Sequence, residues 1–221
     1  MQIQTDVPLK DYSTMRLGGN AANLTVVNTE TGLEEAVAWA RERNLPVVMV
    51  GGGSNVLWRD EGFPGLVLVN RIKGYSEEQK NGHYLVTAGA GENWDETVAR
   101  TAAHGFTGIE NLSLIPGTVV ATPVQNVGAY YQDISDTLVH LTAYDAKEQK
   151  MVILNKEDCK LAYRTSRFKS EPGSFVVLRA AFGLSRTAAP KLIYKDLAET
   201  FAGQAAPSLA AIRAAIIAIR S

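Results

Sequence analysis

The sequence predicts an α+β chain in which a small parallel unit precedes a larger, mainly antiparallel one. Two observations carry this. An early strand–helix–strand pattern, "NLTVV" to "TGLEEAVAWARERN" to "PVVMV", is the signature of a crossover whose two strands are expected to be parallel neighbours. After about residue 71 the texture shifts to short strands, several joined by polar turns.

Taken in order, "NLTVV" (23–27) is a β-rich run. The segment 31–44 opens with Thr31 and Glu34 at capping-box spacing, and its Leu33, Ala36, Val37 and Ala40 share one helical face. "PVVMV" (46–50) and "GLVLVN" (65–70) are the next two strands. "HYLVTAGA" (83–90) reads as a strand, and 93–105 as a helix capped by Asn93 and stopped by Gly105. Residues 137–154 form a hairpin, and "GSFVVLRAAFGL" (173–184) is a further strand. A last helix starts near Ser208, with Leu209, Ile212, Ile216 and Ile217 apolar, so it needs a surface to pack on.

Composition narrows the function. Of 221 residues, 22 are Lys or Arg and 23 Asp or Glu, for a net charge of −1, which argues against a broad nucleic-acid surface. Cys159 is the sole cysteine, so no internal disulfide and no cysteine-based metal site can form, and a reducing compartment fits. The N-terminus lacks the pattern of a signal peptide, and "SLAAIRAAIIAIRS" is too short and too basic to span a bilayer. A cytoplasmic protein with no membrane, nucleic-acid or obligate protein partner is the expectation. His83, His104 and His140 have no metal-ligand spacing, and no metal is assigned. Trp39, Trp58 and Trp94 read as packing residues, and Cys159 has no neighbour arranged to activate it.

Three stretches invite chemistry. "VVMVGGGSNVLW" (48–59) ends a strand in three glycines, whose amides can form an anion nest, with Ser54 and Asn55 as added donors. It has neither the G-x-G-x-x-G spacing of a dinucleotide fold nor the end of a P-loop, and a ligand-free tight turn fits it equally. "NLSLIPGTVVATPVQNVGAYYQDI" (111–134) is uncharged until its penultimate residue and turn-rich, and it offers amides at Gly117, Thr118, Gln125, Asn126, Gly128 and Ala129. Alone it also fits an ordered Ω-loop; paired with the first loop it suits a long ligand with a phosphate-containing middle. "KLAYRTSRFK" (160–169) gathers Tyr163, Arg164, Ser166, Arg167 and Lys169, which suits an anionic substrate or a solvated basic turn.

Six stretches occur in one order: "GGGSNVL", "NRIKG" (70–74), "AGAGENWDETV" (88–98), "GIENLSLIPGTV" (108–119), "PVQNVGAY" (123–130) and "AYRTSRFK" (162–169). From about Tyr12 to the last residue the chain resembles the UDP-N-acetylenolpyruvoylglucosamine reductase family, also called UDP-N-acetylmuramate dehydrogenases. "LIYKDL" (192–197) resembles the subgroup in which a mobile tyrosine closes over the substrate.

The resemblance implies a vanillyl-alcohol-oxidase-type (PCMH-type) FAD-binding fold of two α+β lobes, residues 1–70 and 71–187, with 188–221 the start of a substrate-binding domain. It implies non-covalent FAD held by Val50, Gly51, Gly52, Gly53, Ser54, Asn55, Val56 and Leu57 on one side. Ser113, Pro116, Gly117, Thr118, Thr122, Pro123, Gln125, Asn126, Gly128, Ala129 and Tyr130 would hold it on the other. The family's reaction, in peptidoglycan precursor synthesis, carries a hydride from NADPH through FAD to the enolpyruvyl ether of UDP-N-acetylglucosamine. Arg164 matches the catalytic arginine; Tyr163 and Tyr194 match substrate-binding positions, Tyr194 as the closing tyrosine.

The chain departs from the family's pattern at Val120 and Ala121, where small residues are usual, at Tyr131 for a glycine, and at Thr165 for an aspartate. The family's later serine, in a "GSFFKNP"-like stretch, and its glutamate have no counterpart here, so flavin binding without full turnover is the expectation. A non-catalytic FAD- or nucleotide-binding module on the same scaffold is the alternative. A flavin alcohol oxidase of the same fold is a more distant one.

Overall fold

The computed structural model describes residues 1–80, 83–204 and 206–221. Its first sheet holds β1 (Gln4–Pro8), β2 (Asn20–Val27), β3 (Val47–Val50) and β4 (Phe63–Asn70), with helix α1 (Glu30–Glu42) between β2 and β3 in the chain. The order is β1-β2-β4-β3. β2 and β3 both run parallel to β4, and β1 is antiparallel on the β2 edge. The crossover therefore joins strands that are not neighbours, because β4 lies between them. Its "LVLV" run suits that central place: Leu66 and Leu68 pack toward α1, while Val67 and Val69 pack on the opposite face.

Helix α1 buries Leu33, Ala36, Val37 and Ala40, the face expected from their spacing. Its cap is Thr29, whose hydroxyl accepts from the Gly32 amide at 3.1 Å, two residues ahead of the expected Thr31. The same helix also packs on Tyr144, Val176 and Leu178 of the second sheet, and Arg179 bonds Glu30 at its start. One helix thus joins the two lobes.

The second lobe runs through β5 (Tyr75–Lys80), β6 (His83–Gly89), α2 (Trp94–Ala103), α3 (Ala121–Val124), β7 (Gly128–Ala129), β8 (Gln132–Asp133) and α4 (Ile134–Thr137). It continues through β9 (Leu138–Asp145), β10 (Lys150–Asn155), α5 (Arg167–Ser170) and β11 (Phe175–Leu184). Five of these strands form an antiparallel sheet in the order β10-β9-β11-β6-β5, and β7 and β8 form a separate small hairpin. Helix α2 is capped by Asn93 and followed by Gly105 at φ +77°, as expected. Its Trp94 is fully buried, edge-on to Phe182, and donates Nε1–H to the Leu112 carbonyl at 3.0 Å. That bond fixes the start of the long uncharged loop.

The last segment forms α6 (Lys195–Thr200) and α7 (Leu209–Arg220). Ile212 and Ile216 of α7 are buried with Leu197 and Phe201, which gives the apolar face the cover it required. Arg213 forms a bidentate pair with Asp95 of α2 at 2.6 and 2.7 Å. Among the described residues, no helix is long and apolar enough to cross a membrane.

Candidate functional site

The glycine loop leaves the C-terminal end of β3, at the edge of the parallel strands, where open α/β sheets place ligands. None of the five backbone N–H groups from Gly51 to Asn55 has a partner among the described residues. A Cβ on Gly51 would stand 2.2 Å from the Thr118 hydroxyl, and one on Gly52 would stand 2.8 Å from the Gly117 Cα. A Cβ on Gly53, at φ +69°, would meet the Tyr12 carbonyl at 2.1 Å. Glycine is required here for contact as much as for conformation.

The contact is with the second loop. Ser54 donates its hydroxyl to the Pro116 carbonyl at 3.2 Å, and Asn55 donates Nδ2–H to Gln125 Oε1 at 3.1 Å. So 51–55 and 116–125, distant in sequence, close into one clasp. The side chains of Ser54 and Asn55 hold the clasp shut, and the backbone amides are what it presents. Thr118 Oγ1 is buried at the joint with no partner among the described residues.

The second loop uses its own polar groups to hold its shape. Ser113 Oγ donates to the Glu110 carbonyl and Thr122 Oγ1 to the Val119 carbonyl. Asn126 accepts from the Ser135 amide and donates to the Ala162 carbonyl. Ser113, Thr122, Pro123 and Asn126 are buried. Val120, one of the departures, is buried against Gly51 with its amide on the Ala90 carbonyl.

Beside Met49 the clasp opens into a cavity of about 490 Å³ between the lobes, lined chiefly by Val37, Val47, Met49, Val124, Phe168 and Val176. A smaller one of about 130 Å³ lies directly over Gly51–Val56 and Val120–Gln125. Met49 and Val124 border both, so an apolar cleft runs into a bed of free amides. Leu57, expected in this set, is exposed beyond it.

Two tight turns stand next to the clasp. Ala162 and Thr165 exchange both backbone hydrogen bonds at 3.1 Å, which puts Tyr163 and Arg164 at the tip, with Arg164 at φ +54°. Tyr130 and Tyr131 link β7 to β8 at φ +50° and +59°, the geometry of a type I′ turn that favours Asn-Gly. Each bulky residue held there costs about 1–2 kcal/mol. Tyr194 packs on both rings, with centroids at 4.9 and 5.8 Å, which offsets part of that. Tyr131, at a position where the family resemblance expects glycine, keeps a glycine-like backbone.

Three hydrogen bonds join the Tyr163–Arg164 turn to the second loop. Ser166 Oγ donates to Val124 O, Asn126 Nδ2 to Ala162 O, and Arg164 Nη2 to Gly128 O at 3.3 Å. The expected basic cluster does not gather. Arg167 pairs with Glu171, and Lys169 donates to the Arg164 carbonyl, which leaves Arg164 and the 90 % exposed Tyr163 facing outward. Cys159 is buried with its thiol on the Asn155 carbonyl. Burial, and then the Asp158 charge, push its pKa up to about 11, which suits packing rather than nucleophilic attack.

Residues 21–152 match the model of a family described as an FAD binding domain. A UDP-N-acetylenolpyruvoylglucosamine reductase of Cupriavidus pinatubonensis is 40% identical over 97% of the chain, and the chain spans 64% of that relative's length. The structure of the corresponding reductase from Thermus caldophilus superposes with a TM-score of 0.74 at 24% identity, over 100% of this chain and 70% of that one. A VAO-type flavoprotein from Myceliophthora thermophila shares the fold at a TM-score of 0.54 and 16% identity, over 75% of this chain and 32% of that one. The resemblance carried by the six ordered stretches therefore holds along nearly the whole chain, and the two-lobed α+β flavoprotein fold holds with it.

Proposed function

The chain belongs to the FAD binding domain family, and from that premise we propose that it holds FAD for the reduction of UDP-N-acetylglucosamine enolpyruvate by NADPH. The observation that carries the reading is the run of five unpartnered amides from Gly51 to Asn55, closed against Gly117 and Thr118 beside an apolar cleft. Those residues fit the cofactor. A diphosphate needs converging N–H donors and no Cβ in the way, and an adenine needs apolar walls. Gly51–Asn55 would take the diphosphate, and Met49, Val124 and Val176 would wall the adenine end.

Bound FAD supplies a hydride relay between the nicotinamide and the enolpyruvyl double bond. The chain supplies charge and position. As the double bond accepts hydride, negative charge builds on the α-carbon and carboxylate of the substrate. Arg164 answers it with a guanidinium held in place by Gly128 O and by a turn tied to the same loop. Such preorganised charge acts most strongly where it develops in the transition state. Tyr163 would contact substrate from the same turn, and Tyr194 from the aromatic group with Tyr130 and Tyr131. Residues 1–70 and 71–187 would be the two flavin-holding lobes, and 188–221 would open the substrate-binding part.

The test follows the flavin colour. FAD-loaded protein, joined to a complete substrate-binding domain, is expected to bleach with NADPH, and the bleached form to regain colour with the enolpyruvyl UDP-sugar. Colour that returns with a simple alcohol's ketone and not with the UDP-sugar would assign a different substrate. Bound flavin that NADPH cannot bleach would favour a binding module without catalysis.

A further inference from the structure

Two of the six ordered stretches, "NRIKG" and "AGAGENW", lie outside the two loops of the clasp, brace them through Arg71, Ala90, Glu92 and Trp94, and meet at a further cavity. It measures about 340 Å³ and is lined by Thr14, Arg71, Lys73, Asn93, the 116–118 turn, and Gly52 and Ser54 of the glycine loop itself. We propose that this cavity is a phosphate-binding site, for free phosphate or the phosphate of a small ester, seated directly against the glycine loop.

Arg71 is the centre of the case. Its guanidinium is half-buried and donates Nη1–H to the Gly51 carbonyl at 2.8 Å. No carboxylate among the described residues pairs with it. A partly desolvated guanidinium without a counter-charge is unfavourable, and its remaining donors have the fork geometry that fits an oxyanion. Lys73 adds a second cation at the rim. It stands 3.2 Å from Glu92 Oε2, and the other oxygen of Glu92 accepts from the Gly74 amide at 2.8 Å. Two cations against one carboxylate leave the cavity positive. Asn93 Oδ1 accepts from the Glu96 amide as helix cap, and its Nδ2 has no partner among the described residues.

The approach of the two stretches is built in. A Cβ on Gly91 would lie 2.4 Å from the Arg71 Cα, so only glycine lets the loop before α2 lie flat on the strand exit that carries Arg71. The volume admits a small phosphorylated molecule and is too small for a dinucleotide. Because Arg71 also holds Gly51 O, and Gly52 and Ser54 form part of the wall, an anion here would touch the flavin clasp directly.

Calorimetric titration with inorganic phosphate, and separately with methyl phosphate, tests this on FAD-loaded and on flavin-free protein at low salt. Saturable binding of one anion per chain is expected from at least one of the two. It should weaken at least tenfold in Lys73→Met while the flavin content of that variant is unchanged, and at least tenfold in flavin-free Arg71→Met. Tighter methyl phosphate points to an ester ligand, and tighter inorganic phosphate to the free ion. Absence of saturable binding, equal binding in both variants, or phosphate that displaces FAD would each overturn the site. In flavin-free protein the Gly51–Asn55 amides are open to phosphate as well, so the FAD-loaded arm assigns the anion to this cavity; if the flavin reading fails, the loss in Lys73→Met decides it.

Discussion

The two loops that meet at the clasp use their polar groups in opposite ways. In 51–55 the backbone amides have no partner among the described residues, and the side chains of Ser54 and Asn55 reach across to the partner loop. In 113–126 the side chains of Ser113, Thr122 and Asn126 are bonded to their own surroundings and buried. The first loop presents donors, and the second is a scaffold that holds them in place. A residue in a ligand-facing loop can therefore be essential without touching ligand.

The largest effect expected on this contrast comes from Gly52→Val. Its side chain would run into Gly117 Cα and part the loops, so flavin retention through desalting should fall at least a hundredfold with the circular dichroism spectrum kept. A variant that retains flavin like the parent would show that the loops need not touch. Next is Arg164→Ala, which removes the one guanidinium left facing outward from its turn. In a version carrying a complete substrate-binding domain, reoxidation of the bleached flavin by the enolpyruvyl substrate should slow about 10²–10³-fold, with NADPH reduction little changed. Equal slowing of both half-reactions would contradict the assigned role.

Ser113→Ala sharpens the scaffold half. It removes a buried hydrogen bond to the Glu110 carbonyl and should cost about 1–2 kcal/mol, a fall in Tm of about 2–8 °C, with flavin affinity within about twofold of the parent. Weaker flavin binding at unchanged Tm would place Ser113 in contact with the cofactor.

The smallest effect concerns pH and the α2–α7 tie. The Arg213 hydrogen bonds hold the Asp95 carboxyl below the usual carboxylate range, with the Leu114 amide and the Arg213 charge assisting against partial burial. A depressed folded pKa contributes stability in full above the unfolded value, about 3.9, and loses it as pH falls through the folded value. The urea midpoint gap between the parent and Arg213→Leu should thus be widest near neutrality and narrow below about pH 4. A gap independent of pH would mean that α7 is held by Ile212 and Ile216 alone.

Elements with strong periodicity were legible in the sequence. Leu33, Ala36, Val37 and Ala40 marked α1, while its cap shifted by two because Thr29 and Thr31 carry the same hydroxyl. Strands β1 and β5 were not legible: "QTDVP" and "YSEEQK" are polar edge strands whose partners, not their own side chains, make them strands. Nor did any local signal put β4 between β2 and β3, since that order is decided by burial on both faces. The glycine loop was visible as a possible anion nest, and its closure on Gly117 was not, because it joins residues more than sixty positions apart. The turns at 130–131 and 163–164 carry no Gly or Asn, so their left-handed backbone was not legible from residue type. Arg71 was visible only as a member of "NRIKG"; its lack of an acid partner among the described residues exists only in three dimensions.

The central claim is that free amides at Gly51–Asn55, backed by the second loop, hold FAD. Titration of purified protein with FAD, followed by flavin fluorescence and by absorbance after desalting, tests it most directly. The expected result is one FAD per chain, quenched and retained. A colourless protein that leaves added FAD fully fluorescent would contradict it.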